Sequence, residues 1–253
     1  MEFEVLKKNL AKTLKGLITR KDREELGLFL AEGDKCVSDM TEAFPLRWLV
    51  ATEAWISGHP EMAARYAQKI LKSDKRGIEI ISSMKSVPDV IGVFEKPVAN
   101  GEIPSINEEK LYLLLDDIQD PGNLGTIIRT CDWFGVYDIF ASPHTVDVFS
   151  PKVVQATMGS LSRVKVSYLD LSILIKKHAG MPVIGTTLDG KPYEECGDLK
   201  KGFLVMGNEG NGISENIKKL ITHDITIPPK NLESHPDSLN VAIATAILLA
   251  KFT

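Results

Sequence analysis

The stretch LLLDDIQDPGNLGTIIRTCDWFG, residues 113–135, decides how this chain is read. An apolar run ends in acids, a Pro-Gly-Asn turn follows, and an apolar-periodic segment then carries one arginine. That order spells a strand, a tight turn and the start of a helix. Asn123 falls at the turn and Arg129 about two helical turns on. In open α/β sheets the ligand crevice lies outside the carboxyl ends of the strands, and both residues follow such an end. Asparagine offers donors and an acceptor; arginine offers a permanent charge on a planar fork suited to phosphate. Taken alone, the stretch reads first as a capped helix with a solvated arginine.

Two downstream motifs change that reading. GFLVM at 202–206 is an apolar strand, and GNEGNG at 207–212 follows it. Gly207, Gly210 and Gly212 allow unusual dihedrals and close approach of backbone to a ligand. Glu209 lies inside this loop, where it can order the loop or orient a polar group. The loop is not a dinucleotide fingerprint, because GxGxxG opening a first βαβ unit is missing, and not a P-loop, because no GKS or GKT follows. Further on, Ile227-Pro228-Pro229 ends a strand, and Ser238-Leu239-Asn240 opens an apolar helix. Proline stops a strand and frees nearby backbone groups for a ligand. Ser238 is an N-cap by residue type. The plainer readings are a turn and a loop before a core helix, but neither predicts two polar side chains, Ser238 and Asn240, at the mouth of so apolar a helix.

Around these motifs the chain alternates. Strands are expected at 111–116, 137–141, 164–168, 182–187, 202–206 and 224–227, with helices at 123–134, 150–160, 171–178, 213–220 and 238–252. This predicts a mostly parallel, doubly wound sheet over residues 111–253. Residues 96–110, KPVANGEIPSINEEK, lack periodicity and hold two prolines and a glycine, which marks 99–110 as a linker. Residues 1–98 read as a small α/β unit. An amphipathic helix spans 1–17, a basic turn follows, strands fall at 28–31, 46–52 and 78–81, and helices start at Gly33 and fill 61–71 and 83–88.

Composition is ordinary for a globular chain, at 43% apolar and 25% charged residues. The net charge of −4 gives no whole-surface attraction for nucleic acid. Residues 1–23 hold seven basic side chains against three acidic ones, so an RNA contact is expected as a local patch there. Cys36, Cys131 and Cys196 are isolated, which argues against a disulfide framework and against zinc, and fits a reducing cytoplasm. The N-terminus is charged and amphipathic, unlike a signal peptide. The longest apolar run, residues 241–250, is too short to span a bilayer.

Together the motifs resemble the SpoU (TrmH-type) group of RNA ribose 2′-O-methyltransferases. The resemblance rests on DPGNLGTIIRT at 120–130, PKVVQATMGSLSRVKV at 151–166, LVMGNEGNGIS at 204–214, and IP with SLNVAIATAILL over 227–249. It covers most of residues 111–253 in the family's order. A shorter match, TRKDREELGLFLAEGDKCV, resembles that group's accessory substrate-binding domain, a ribosomal-protein-like α/β module. The chain departs from the pattern at PKNLESHPD, 229–237, which is longer than usual and carries Pro229 where methionine is commoner.

The resemblance implies a SPOUT-type parallel sheet closed into a deep trefoil knot, homodimers formed through this domain, and S-adenosyl-L-methionine as methyl donor. It places Thr186, Gly207, Ile227 and Leu239 around the donor, mostly through backbone. It places Asn123, Arg129, Glu209, Ser238 and Asn240 at catalytic positions. RNA, ribosomal rather than transfer RNA, is the implied partner, and neither a metal nor a membrane is implied. Arg20, Lys21 and Arg23 are the expected RNA contacts, since phosphate is gripped from basic turns. The rival readings are a transfer-RNA methyltransferase, an inactive RNA-binding protein of the same fold, and a nucleotide-cofactor oxidoreductase, the last opposed by the missing fingerprint.

Overall fold

The structure is a computed structural model that describes residues 3–98, 103–197, 199–231, 236 and 238–253. The chain divides into two compact units, Met1–Ala99 with Asp147–Ser162, and Asn100–Val146 with Arg163–Thr253. The first half runs β1 (Glu4–Val5), α1 (Lys8–Gly16), α2 (Arg20–Leu26), β2 (Leu28–Glu32), α3 (Asp34–Thr41), β3 (Leu46–Ala51), α4 (Glu53–Gly58), α5 (Pro60–Arg65), β4 (Ile70–Lys72), α6 (Lys75–Ile81) and β5 (Val90–Glu95). Then come β6 (Leu111–Asp116), α7 (Pro121–Phe134), β7 (Asp138–Ala141), α8 (Pro151–Ala156), β8 (Lys165–Tyr168), α9 (Leu171–Lys177), β9 (Val183–Pro192), β10 (Gly202–Gly207), α10 (Glu215–Lys218), β11 (His223–Thr226) and α11 (Val241–Phe252).

The first unit is a mixed sheet in the order β1-β4-β3-β5-β2. Helices α1 and α6 bury Leu14, Leu17, Ile78 and Ile81 against Leu30, Val50 and Ile91 of the sheet. Several local expectations change here. Residues 78–81 are helical, not extended: Asp74 accepts from the Gly77 amide at 2.8 Å and starts α6, and the i, i+3 pair Ile78 and Ile81 faces the core. Burial of that pair outweighs the strand preference of isoleucine. Residues 61–71 break into α5, a 3₁₀ turn at Ala67–Lys69 and strand β4. Residues 83–88 form no helix, and β5 follows them. The N-terminal helix begins only at Lys8, after β1 has paired with β4.

The basic segment after Thr19 is helix α2, capped by the Thr19 hydroxyl, which accepts from the Asp22 amide. This corrects the expectation for Arg23. Its side chain is 3% exposed, its Nη2 lies 2.7 Å from Asp147 Oδ2, and its Nη1 donates to the Leu17 and Ile18 carbonyls at 2.8 Å. An arginine committed to a buried carboxylate and two carbonyls belongs to the scaffold, not to an RNA-facing turn. Phe149, two residues past Asp147, packs 4.8 Å from the Phe29 ring, in a cluster with Phe44 and Phe94. Charge pair and ring cluster explain why residues 147–162 pack with the first unit.

The second unit is a six-stranded sheet, β11-β9-β10-β6-β7-β8, in which every pairing is parallel. Five of its strands match the expected ones within one residue, because strands covered on both faces read as apolar runs, whereas β9 runs five residues past the expected end at 187. Tyr112, Leu114, Phe203 and Val205 form a core with Leu174 and Ile175 of α9. On α7, Leu124, Ile127, Ile128 and Cys131 are buried. Burial pushes the Cys36 thiol up to about 12 and the Cys131 thiol higher still, so neither is a nucleophile near neutrality. No helix among the described residues is long and apolar enough to cross a membrane.

Removing the Arg23 cation leaves Asp147 buried without its counter-charge. Arg23→Met is expected to cost about 3–5 kcal/mol, read as a lower urea midpoint for the full chain. Lys21→Ala, on the exposed side of the same helix, is expected to leave the midpoint unchanged.

Candidate active site at the carboxyl end of the parallel sheet

Four adjacent strands, β11, β9, β10 and β6, are parallel and end on the same side. Asp116, the last residue of β6, lies in register with Gly207, the last of β10. These strands and the segments leaving them carry every residue expected at the catalytic centre or around the donor. Asp120 caps α7 by accepting from the Asn123 amide at 2.8 Å, and Pro121 occupies the first helical turn, where its missing N–H costs nothing. The helix thus begins before Asn123, which is not the cap, and its side-chain amide is left for other partners.

Those partners come from the two other motifs. Asn123 Nδ2 donates to Glu209 Oε1 at 2.8 Å, and Asn240 Nδ2 donates to Asn123 Oδ1 at 2.9 Å. Asn240 Oδ1 in turn accepts from the Ala242 and Ile243 amides, so Asn240 is the N-cap of α11. This corrects the expectation for Ser238, which lies outside the helix, exposed, two residues before the cap. Three of the five expected catalytic residues are therefore joined in one chain of hydrogen bonds. Arg129 is not: it stands on the exposed face of α7 with no hydrogen bond or ion pair among the described residues.

The loop after β10 is held by its own backbone and by Asn208, a residue outside the expected site set. Asn208 and Gly212 exchange two main-chain hydrogen bonds of 2.9 Å. Asn208 Oδ1 accepts from the Gly210 and Asn211 amides, and its Nδ2 donates to the Asp117 carbonyl at 2.8 Å. Asp116, 6% exposed, accepts from the Ser214 amide at 2.7 Å and closes the far side. Asp117 itself has φ +63°, a conformation that non-glycine residues seldom adopt. The legible signal for Asn208 was its place beside glycines, where an Asx turn is favoured. Gly207 is needed for packing within this loop: a Cβ there would sit 2.3 Å from the Gly212 carbonyl carbon and 2.4 Å from the Ile213 nitrogen.

The donor side has a different feature. β11 pairs with Ile184 and Gly185 of β9, then resumes at Lys191 and Pro192. Residues 186–190 thus leave the β11 ladder, and β10 pairs with β9 only as far as Gly185. Thr186 is fixed at the start of this excursion by its hydroxyl, which donates to the Val205 carbonyl at 3.0 Å. Gly190 allows the return, because a Cβ there would meet the Ile225 backbone at 2.5 to 2.7 Å. Ile227 follows β11, half-buried, and Leu239 is 49% exposed just before the α11 cap. Within the long 229–237 insertion, residues 232–235 and 237 lie outside the described residues. Among the described residues, no group of three or more His, Cys, Asp or Glu could hold a metal ion.

Residues 110–250 match the model of the SpoU rRNA Methylase family, and residues 8–92 match an MRM3-like substrate binding domain. The chain is 30% identical over 256 residues to the 23S rRNA (guanosine(2553)-2′-O)-methyltransferase RlmP of Bacillus subtilis (strain 168), covering 98% of this chain and 97% of that one. A TrmH-family protein of known structure from Porphyromonas gingivalis is 37% identical, with a TM-score of 0.85 over 98% of both chains. The AdoMet-bound rRNA methyltransferase from Sinorhizobium meliloti is 30% identical, with a TM-score of 0.85 over 99% of this chain and 96% of that one. With a family model covering more than half its length and a full-length relative at this identity, the chain belongs to the SpoU rRNA methylase family.

Proposed function

We propose that this chain transfers a methyl group from S-adenosylmethionine to a ribose 2′-hydroxyl of structured RNA, with ribosomal RNA as the substrate class. The observation that carries this reading is the joining of Asn123 to Glu209 and Asn240, with Arg129 exposed on the same helix as Asn123 and unpaired among the described residues. The Bacillus subtilis relative bears the name of a ribosomal RNA 2′-O-methyltransferase, and the Sinorhizobium meliloti structure is AdoMet-bound. Both support the reading.

The residues present suit the donor. Residues 186–190 offer main-chain donors and acceptors that no β11 partner uses, and Ile227 and Leu239 bring apolar surface nearby in the chain. When bound, S-adenosylmethionine supplies an electrophilic methyl group on a sulfonium. The chain's own task is to present a weakly acidic alcohol in line and to handle its proton. Arg129, always charged, grips the target phosphate and stabilises the developing alkoxide; the proton leaves through phosphate or water, because a neutral arginine is too costly a base. Asn123 positions the ribose, and Glu209 holds Asn123 in the orientation that leaves its carbonyl for Asn240. Ser238 is exposed at the mouth and shapes the donor pocket.

Within the family the sheet closes as a trefoil knot, and we assign that topology here, with residues 1–98 as the RNA-binding domain and 111–253 as the catalytic one, less the segment 147–162 that packs with the first unit. Arg20 and Lys21 contact RNA: Lys21 is exposed, and Arg20 is held by Glu24 at 2.7 Å on the same helix. The chain acts as a homodimer in the cytoplasm. The dimer is supported by the packing of α7 on α11 together with apolar surface they leave outward, Trp133 at 85% and Ile243 at 52% exposure.

Arg129→Ala is expected to lower methyl transfer to ribosomal RNA by roughly 10² to 10³-fold while calorimetry still shows donor binding; unchanged turnover removes the role. Gly207→Ala must displace the loop holding Glu209, and is expected to cut kcat/KM by about 100-fold with weakened donor affinity. Ile243→Arg is expected to shift the sedimentation profile from dimer to monomer, and an unaltered profile rejects the α7–α11 interface.

A further inference from the structure

Within the first unit lies a cavity of 170 Å³, walled by Glu32, Gly33, Lys35, Met84, Gln155 and Met158. None of these residues has a part in the methyl-transfer site. The cavity far exceeds the roughly 15 Å³ that one water needs, and falls below the ~300 Å³ of sites that enclose a whole small ligand. It has room for one flat ring.

Three independent features mark it as built. Gln155 Oε1 is buried with no hydrogen-bond partner among the described residues. Orphaned acceptors of this kind are uncommon in folded chains and call for a hydrogen-bond donor from outside the fold. Met158 has φ +50°, a strained backbone for an unbranched large side chain, and is 47% exposed at the cavity rim. Met84 is fixed on another side by buried Glu32. That carboxylate accepts from the Ser82 hydroxyl, from the Ser83 amide at 3.0 Å and from the Ser83 hydroxyl at 2.6 Å, while the Met84 amide donates to Ser82 Oγ at 3.1 Å. Gly33, with φ +86° and nothing within 4 Å of where a Cβ would stand, keeps the floor open.

We propose that this cavity receives one unpaired nucleobase of the RNA substrate, its faces against Met84 and Met158 and its edge read by the Gln155 amide. Thioether side chains are polarisable and favour contact with aromatic rings. A base edge carries the N–H donors that an unsatisfied amide oxygen lacks. Lys35 at the cavity and Lys85 beside Met84 are exposed and serve the flanking phosphates. Unpaired bases that can be splayed out are what sequence-specific RNA readers take. The inference rests on the RNA reading of the protein, and it adds the recognised element and its residues.

The test uses the full chain with ¹³C-methyl methionine, the Met84 and Met158 signals being assigned from Met→Leu variants. Uridine, cytidine, adenosine and guanosine monophosphates and single-stranded heptamers of each base are titrated in, with an RNA duplex and S-adenosylmethionine as controls. At least one base is expected to shift both methyl signals by its ring current, more tightly as heptamer than as monophosphate. The duplex should leave them in place, and Gln155→Leu should weaken the effect about tenfold. Absence of any shift, tighter binding of a monophosphate than of its heptamer, or an undiminished response in Gln155→Leu overturns the proposal. Methyl transfer to ribosomal RNA is measured in the same preparation. Transfer without methionine shifts rejects the cavity alone; shifts without transfer reject the enzymatic reading and leave the base site standing.

Discussion

The side-chain amide of Asn123 is the constraint on which the candidate site depends. One end donates to Glu209 and the other accepts from Asn240, so a single planar group fixes the loop after β10, the start of α7 and the start of α11 at once. Aspartate cannot do this, because it lacks the donor for Glu209, and serine cannot span both partners. Asn240 repeats the logic one step on: its own amide spends its nitrogen on Asn123 and its oxygen on the first amides of α11. The orientation of Glu209 is therefore tied to where the C-terminal helix begins.

Such exposed hydrogen bonds each contribute only about 0.5–1.5 kcal/mol net. They orient groups that the sheet has already brought near. All six residues of β6 are buried, and Leu204, Val205 and Met206 beside them on β10 are covered as well. Burial of those runs places Asp116 opposite Gly207, and the site inherits its position from that register. A donor bound here, as proposed, would need backbone left unpaired, which a sheet ordinarily forbids. The excursion of residues 186–190 breaks the β9–β11 ladder locally, and Gly190 lets it close again.

The alternating strands of the second unit were legible because buried parallel strands announce themselves as apolar runs, and Asn123, Glu209 and Asn240 were legible as polar residues set beside such runs. What was not legible depends on distant partners. Arg23 looks like its neighbours Arg20 and Lys21 in sequence, and only Asp147, 124 residues away, takes it out of solvent. Residues 78–81 carry three isoleucines, whose strand preference gives way to an Asp74 cap and burial of one helical face. Ser238 and Asn240 are both good caps by type, and the choice fell to Asn240 because its amide is long enough to cap and to reach Asn123 together. The break in the β9 ladder leaves no local mark except Gly190.

The two polar devices of this chain sit at opposite ends of the dielectric range, and that difference orders their roles. Arg23 and Asp147 are both nearly dry, so separating them is costly and the pair works as a fastening that brings Phe149 onto Phe29. Asn123, Glu209 and Asn240 are wet, so their bonds open and re-form at little cost. On the proposed function, a substrate ribose would compete for Asn123 on nearly equal terms with Glu209, whereas the buried Arg23 pair offers no such exchange. For that proposed role the exposure of the Asn123 network is a requirement: a fully buried version would hold the loops more firmly and leave the amide out of reach of a ribose.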